Sequence, residues 1–169
     1  MKVAAVQLTS TGNITENQEL ALAKIREAAG NGARLIVLPE ATAQNFRSGR
    51  LDEQAQTLEG PFATAIQALA EELEVTVVAG MFCPADTVER EGKTINRVTN
   101  TALIAGPGVL GGYDKIHTYD AFDYRESDTV LAGESLVAFD VDDLIVGVAT
   151  CYDIRFCLLY TSDAADEED

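Results

Sequence analysis

At 169 residues the chain is long enough to bury one domain core but too short for two comfortable ones. Its 47% apolar content and mean hydropathy of +0.02 fit a globular chain, and no apolar run approaches the length of a membrane span. A net charge of −16 opposes a nucleic-acid or anionic-membrane partner, because either would be approached against repulsion.

Lys2 to Leu8 reads as a buried first strand. Gln7 interrupts its apolar stretch too early for a signal-peptide core, so a cytoplasmic setting is expected. Thr15 and Gln18 have the spacing of a helix-opening capping box. Leu20, Ala21, Ile25, Ala28 and Ala29 then recur at helical spacing, and Gly30 or Gly32 can end the helix in a left-handed turn. Leu35 to Leu38 predicts a second buried strand, stopped by Pro39. Pro61 suits a helix first turn, with Phe62, Ile66, Leu69 and Leu73 on one face. Val75 to Ala79 predicts the third strand.

The texture then changes. Residues 100–105, 109–115, 136–141 and 144–149 read as strands without intervening helices, and Gly106-Pro107-Gly108 reads as a tight turn. A layered α/β chain with both crossover and meander segments is expected. No phosphate-binding pattern accompanies Gly106-Pro107-Gly108 or Gly111-Gly112, which argues against a nucleotide-binding domain. The three cysteines, Cys83, Cys151 and Cys157, have neither an even count nor a metal-binding spacing, so reduced thiols and no metal are expected.

Three reactive groups fall at strand ends: Glu40, Lys115 and Cys151. In α/β sheets the carboxyl ends of strands present ligand-binding side chains. Taken singly, each has a bland reading as a turn carboxylate, a surface lysine or a core cysteine. Together they lie within five segments that occur in a familiar order. These are Val3-Ala4-Ala5-Val6-Gln7, Leu35-Ile36-Val37-Leu38-Pro39-Glu40 and Tyr113-Asp114-Lys115-Ile116-His117, then Arg125-Glu126-Ser127-Asp128 and the stretch from Gly147 to Phe156. In these segments the chain resembles the nitrilase superfamily of carbon–nitrogen hydrolases over residues 1 to 156.

The resemblance implies an α-β-β-α sandwich and hydrolysis of a non-peptide C–N bond. It makes Cys151 the nucleophile that forms a thioester, Glu40 the general base and Lys115 the counter-charge to the oxyanion. The backbone N–H of Tyr152 assists Lys115, and Glu126 supports the site. It implies no cofactor and a small amide, nitrile or carbamoyl substrate, with a small aliphatic amide the first expectation. Glu126 has a competing reading as a loop carboxylate salt-bridged to Arg125. His117, the only histidine, raises a Cys–His dyad as a second arrangement. The resemblance instead leaves it a packing or hydrogen-bonding role.

After Phe156 the pattern stops. Residues 157–169 become acidic, with Asp163, Asp166, Glu167, Glu168 and Asp169 supplying five of the 28 acidic residues. The expectation is a disordered tail outside the family pattern, on a sandwich incomplete at its C-terminus. Such a chain would be poorly stable and inactive, whereas a full-length version would be a homodimer. The rival to an amidase is therefore a silent fragment that serves as a binding or interaction module.

Overall fold

A computed structural model describes residues 1–156 and 158–161. The expectation of a disordered tail thus falls largely outside the described residues, although Leu158–Thr161 (α3) forms one helical turn. No helix among the described residues is long and apolar enough to cross a membrane.

A mixed sheet organises the molecule. β1 (Val3–Ala5), β2 (Leu35–Val37) and β3 (Thr76–Arg90) run parallel. β4 (Lys93–Gly106) pairs antiparallel with β3, and β5 (Val109–Asp114) pairs antiparallel with β4. Two small hairpin strands, β6 (Asp120–Ala121) and β7 (Tyr124–Arg125), precede β8 (Val130–Leu131), which pairs with β4. β9 (Ala138–Val141) and β10 (Leu144–Gly147) form a separate two-stranded sheet.

The alternation of strand side chains divides the core in two. On one face Ile36, Val77, Ala79, Met81, Leu103 and Ala105 meet helices α1 (Ile14–Gly30) and α2 (Pro61–Glu72), which contribute Ile25, Phe62 and Ile66. On the other face Leu35 and Ile104 pack against Phe139 and Val141. The described residues therefore build three layers, helices on sheet on sheet, of a mixed α/β fold.

Three expectations need correction. The first strand is not buried: Val3 is 53% exposed, because β1 lies at the sheet edge. The first helix is capped by Asn13 rather than Thr15. The Asn13 side chain is the acceptor for the Thr15 and Glu16 amides, at 2.9 and 3.3 Å, and asparagine is among the strongest caps. The third strand runs eleven residues beyond Ala79 and pairs with β4 in a long hairpin. Its two-residue turn, Glu91-Gly92, has positive φ at both positions, as a tight hairpin turn of matching twist requires. The helix end agrees with expectation: Gly32 (φ +83°) turns the chain, and the Gly32 and Ala33 amides donate to Ala29 and Ala28.

Candidate active site

Close backbone approaches hold two of the strand ends. Glu40 follows β2 on a turn pressed against Gly80 of β3, where the Gly80 amide donates to the Pro39 carbonyl (3.1 Å) and the Ala43 amide to the Gly80 carbonyl (3.0 Å). A Cβ on Gly80 would overlap the Glu40 carbonyl group. Only glycine permits this contact, so Gly80→Ala is expected to move the Glu40 backbone by about an ångström and cost on the order of 100-fold in rate. Steady-state kinetics, with circular dichroism to verify folding, test this; an alanine variant of unchanged rate would show that the turn is not what positions Glu40. Lys115 follows β5; its amide donates to the Asn100 carbonyl and its own carbonyl accepts from Gly133, both at 2.9 Å. Cys151 follows β10 and opens a short 3-10 helix, Cys151–Arg155, with its own φ at +51°. Positive φ is uncommon for a residue with a Cβ and turns the side chain sharply out of the strand direction.

One charge network joins these elements. The Lys115 ammonium lies 3.1 Å from Glu40 Oε1 and 2.8 and 3.1 Å from the two Glu126 oxygens. Asn100 Nδ2 donates to Glu40 Oε1 at 2.7 Å and to Glu126 Oε1 at 3.3 Å. The Tyr119 amide donates to Glu126 Oε2 at 2.7 Å. Lys115 and Glu126 are buried, with side chains 2% and 3% exposed, whereas Glu40 keeps a partly open face. Burial works against the Lys115 charge, but its hydrogen bonds to Glu126 and the fields of both carboxylates outweigh it and hold the ammonium above its usual range. The two carboxylates thus share one ammonium. Arg125 approaches Asp128 (3.6 Å) while Glu126 faces Lys115, so the surface reading of Glu126 is set aside.

Glu40, Lys115, Glu126 and Cys151 line one cavity of about 670 Å³, with Phe46 and Tyr119 in its walls. Burial pushes the Cys151 thiol up; the Glu40 carboxylate adds to this and Lys115 opposes it. A raised pKa keeps the thiolate fraction small, so a neighbouring base favours attack on a weak electrophile such as an amide carbonyl. The Tyr152 amide lies in the first turn of the 3-10 helix, where N–H groups have no intrahelical acceptor. Its ring packs edge-on against Tyr119 and Phe156, at 5.1 and 5.3 Å between centroids.

His117 is engaged away from the thiol. Its Nδ1 lies 2.8 Å from Asp153 Oδ1, and its ring stacks on Phe156 with centroids 3.6 Å apart. Asp153 is fully buried and also accepts from the His117 amide (2.8 Å), the Tyr113 hydroxyl (2.6 Å) and the Thr150 amide (3.0 Å). Burial would raise its pKa, but those donors hold the carboxyl below the usual range. One carboxylate therefore ties the segment carrying Lys115 to the turn carrying Cys151.

Sequence reasoning missed Asn100, Asp153, Gly80 and Gly133 as site builders. Asn100 did leave a signal: it shares the strand face of Val98, Ala102 and Ile104, where an uncommitted amide would be costly. Asp153 sat inside a quoted motif, but its partners on the Lys115 segment are 36 and 40 residues away. Cys157 lies outside the described residues. Cys83 is a partly buried free thiol that does not line the cavity, and burial pushes its pKa up.

The family model for carbon-nitrogen hydrolases matches residues 2–169. Hydrolase Rv0480c of Mycobacterium tuberculosis is 42% identical over 166 residues, covering 95% of this chain and 56% of that protein. The deaminated glutathione amidase of a Synechocystis strain is 36% identical over 165 residues, covering 93% of this chain and 59% of that protein. Among solved structures, XC1258 of Xanthomonas campestris, described as a CN-hydrolase superfamily protein with an arsenic adduct in its active site, superposes with a TM-score of 0.74. It has 25% identity, and the match covers 91% of this chain and 54% of that one. An amidase from Nesterenkonia sp. shares the fold at 19% identity, with a TM-score of 0.73 over 94% of this chain and 58% of that one. The chain thus spans little more than half the length of each of these four proteins.

Proposed function

Because the chain belongs to the carbon–nitrogen hydrolase family, the nitrilase superfamily, we propose that its site cleaves the C–N bond of a small amide through a thioester on Cys151. The observation that carries this reading is the meeting of Glu40, Lys115 and Glu126 with Cys151 at one cavity. Glu40 takes the thiol proton as Sγ attacks the carbonyl carbon and delivers it to the departing nitrogen. Lys115, joined by the Tyr152 amide, stabilises the oxyanion. Glu126 and Asn100 hold the ammonium and the base in register. Water, deprotonated by Glu40, then releases the acid and returns the proton to sulfur.

The names of relatives such as deaminated glutathione amidase support an amide over a nitrile or carbamoyl substrate. A reducing, cytoplasmic setting belongs to this reading, because a cysteine nucleophile must stay a thiol to attack. The apolar surface left open at Leu136 and Leu158 supports a homodimer for longer versions of the chain.

Intact-protein mass spectrometry during turnover of a primary amide tests the reading. The expected result is a mass gain equal to the acyl group, mapped to the peptide that contains Cys151. Ammonia release with no adduct there, even when the reaction is quenched in acid, would overturn it.

A further inference from the structure

The loop over residues 42–56 brings Phe46 and Arg47 to the wall of the cavity of about 670 Å³, and it is held from several sides. Asn17 Nδ2 donates to the Ala43 carbonyl (2.9 Å) and the Asn45 amide to the Thr11 carbonyl (3.0 Å). The Ile14 amide donates to Gln54 Oε1 and the Gln56 amide to the Phe82 carbonyl, both at 3.0 Å. The Arg47 amide donates to Asn45 Oδ1 at 2.9 Å, and the Phe46 ring meets Phe82 edge-on at 5.3 Å. The backbone of Arg47 is therefore fixed while its guanidinium stays uncommitted. In a chain with 28 acidic and 12 basic residues, Arg34, Arg50, Arg90, Arg97 and Arg125 each face a carboxylate. Arg47 has no ion pair among the described residues, although Asp123 lines the same cavity from the turn between β6 and β7. The fields acting on the Cys151 thiol come from Glu40, Lys115 and Glu126, so Arg47 stands back from the reacting atoms.

We propose that Arg47 is a specificity residue of the acyl side, anchoring a carboxylate at the far end of the substrate's acyl chain. The inference rests on the amide-hydrolase reading above. A guanidinium presents paired N–H donors that match both oxygens of a carboxylate, and such contacts are short, strong and directional. The loop that carries it is ordered before substrate arrives, so little ordering is left to oppose binding. The chain as a whole, at −16, repels an anion, and Arg47 supplies at one point the attraction that the net charge denies. Phe46, Tyr119 and Tyr124 give the same cavity ring surfaces on which methylene groups can lie. The acyl group that suits this lining has its amide carbon at Cys151, a short methylene chain against the rings and an anion at Arg47. The substrate class that follows is the monoamides of short linear dicarboxylic acids. Arg47 moves no proton and touches no reacting atom. Its contribution falls on KM, because the carboxylate is held alike before and during C–N cleavage.

The test is kinetic and uses three amides of matched length. They are the monoamide of glutaric acid, an analogue in which isopropyl replaces the carboxylate, and one in which aminomethyl replaces it. The parent chain is compared with Arg47→Ala, Arg47→Lys and Arg47→Glu. Each comparison is a ratio of kcat/KM values from one preparation, which a reduced folded fraction leaves unchanged. The parent is expected to prefer the carboxylate-ended amide over its isopropyl analogue. Arg47→Ala should lower that ratio by roughly 10- to 100-fold, with the loss in KM. Arg47→Lys should recover part of it, because the charge returns without the planar fork. Arg47→Glu should turn the preference toward the amine-ended amide. A parent indifferent to the carboxylate, or a ratio that stays put in Arg47→Ala, would overturn the anchor while leaving the amide-hydrolase reading intact. Failure of all three amides to acylate Cys151 in the parent chain would instead overturn that reading, and the anchor with it.

Discussion

Cys151→Ala is expected to abolish turnover while leaving the fold in place. Cys151 lies at the cavity wall, only partly shielded from water, and belongs to none of the apolar clusters that hold the layers together. Alanine also carries a Cβ, so the positive φ costs the variant no more than it costs the parent. The melting temperature should therefore move by only a few degrees, in keeping with a change that touches no packed core. The rate should fall below detection, because neither Lys115 nor the Tyr152 amide can stabilise an oxyanion that never forms. Continuous ammonia assay and thermal melts of both proteins decide this. Turnover within about tenfold of the parent would assign the attacking group to another residue.

Glu40→Gln is expected to separate two quantities that usually travel together. Catalysis should fall by roughly 10²–10⁴-fold, because the amide cannot accept the thiol proton. The shape is retained, and the carbonyl end of Gln can still meet Lys115 and Asn100. Alkylation of Cys151 by iodoacetamide near neutral pH should become faster. The Glu40 charge is one of the causes that hold the thiol pKa up, so its removal lowers that pKa and raises the thiolate fraction. His117→Ala provides the contrast: its ring faces Asp153 and Phe156, so its cost in rate should be far below that of Glu40→Gln. A His117→Ala loss equal to that of Glu40→Gln would make histidine the base, and slower alkylation in Glu40→Gln would show that the carboxylate does more to activate the thiol than to hold its pKa up.

The parts of the fold legible in the sequence are those whose signals are local. Pro61 at a helix first turn, Gly32 at a helix end and the apolar run before Pro39 each act within a few residues. The strand ends bearing Glu40, Lys115 and Cys151 were legible for the same reason, since an apolar run that stops at a reactive side chain is visible in one dimension. The long β3–β4 hairpin was not. Its outer half carries Asp86, Glu89, Arg90, Lys93 and Arg97, and it holds together by cross-strand pairing with little burial. The cap at Asn13 lost to Thr15 because both residues can cap, and only the observed turn shows which side chain faces the free amides. Gly80 and Gly133 escaped notice because their use is a contact with backbone that is distant in sequence.

The carboxylate of Asp153 bears on how this chemistry could be borrowed. A protein engineer grafting Glu40, Lys115 and Cys151 onto a foreign scaffold would carry over three reactive groups and leave behind the part that sets their spacing. That part is one buried side chain bridging two loops, together with two positions where any side chain at all is excluded. The smallest transferable unit is therefore not a triad. It is a set of three strand ends together with the Tyr113, His117 and Thr150 donors that converge on Asp153, and a host lacking those donors would inherit an acidic group with nothing to fasten.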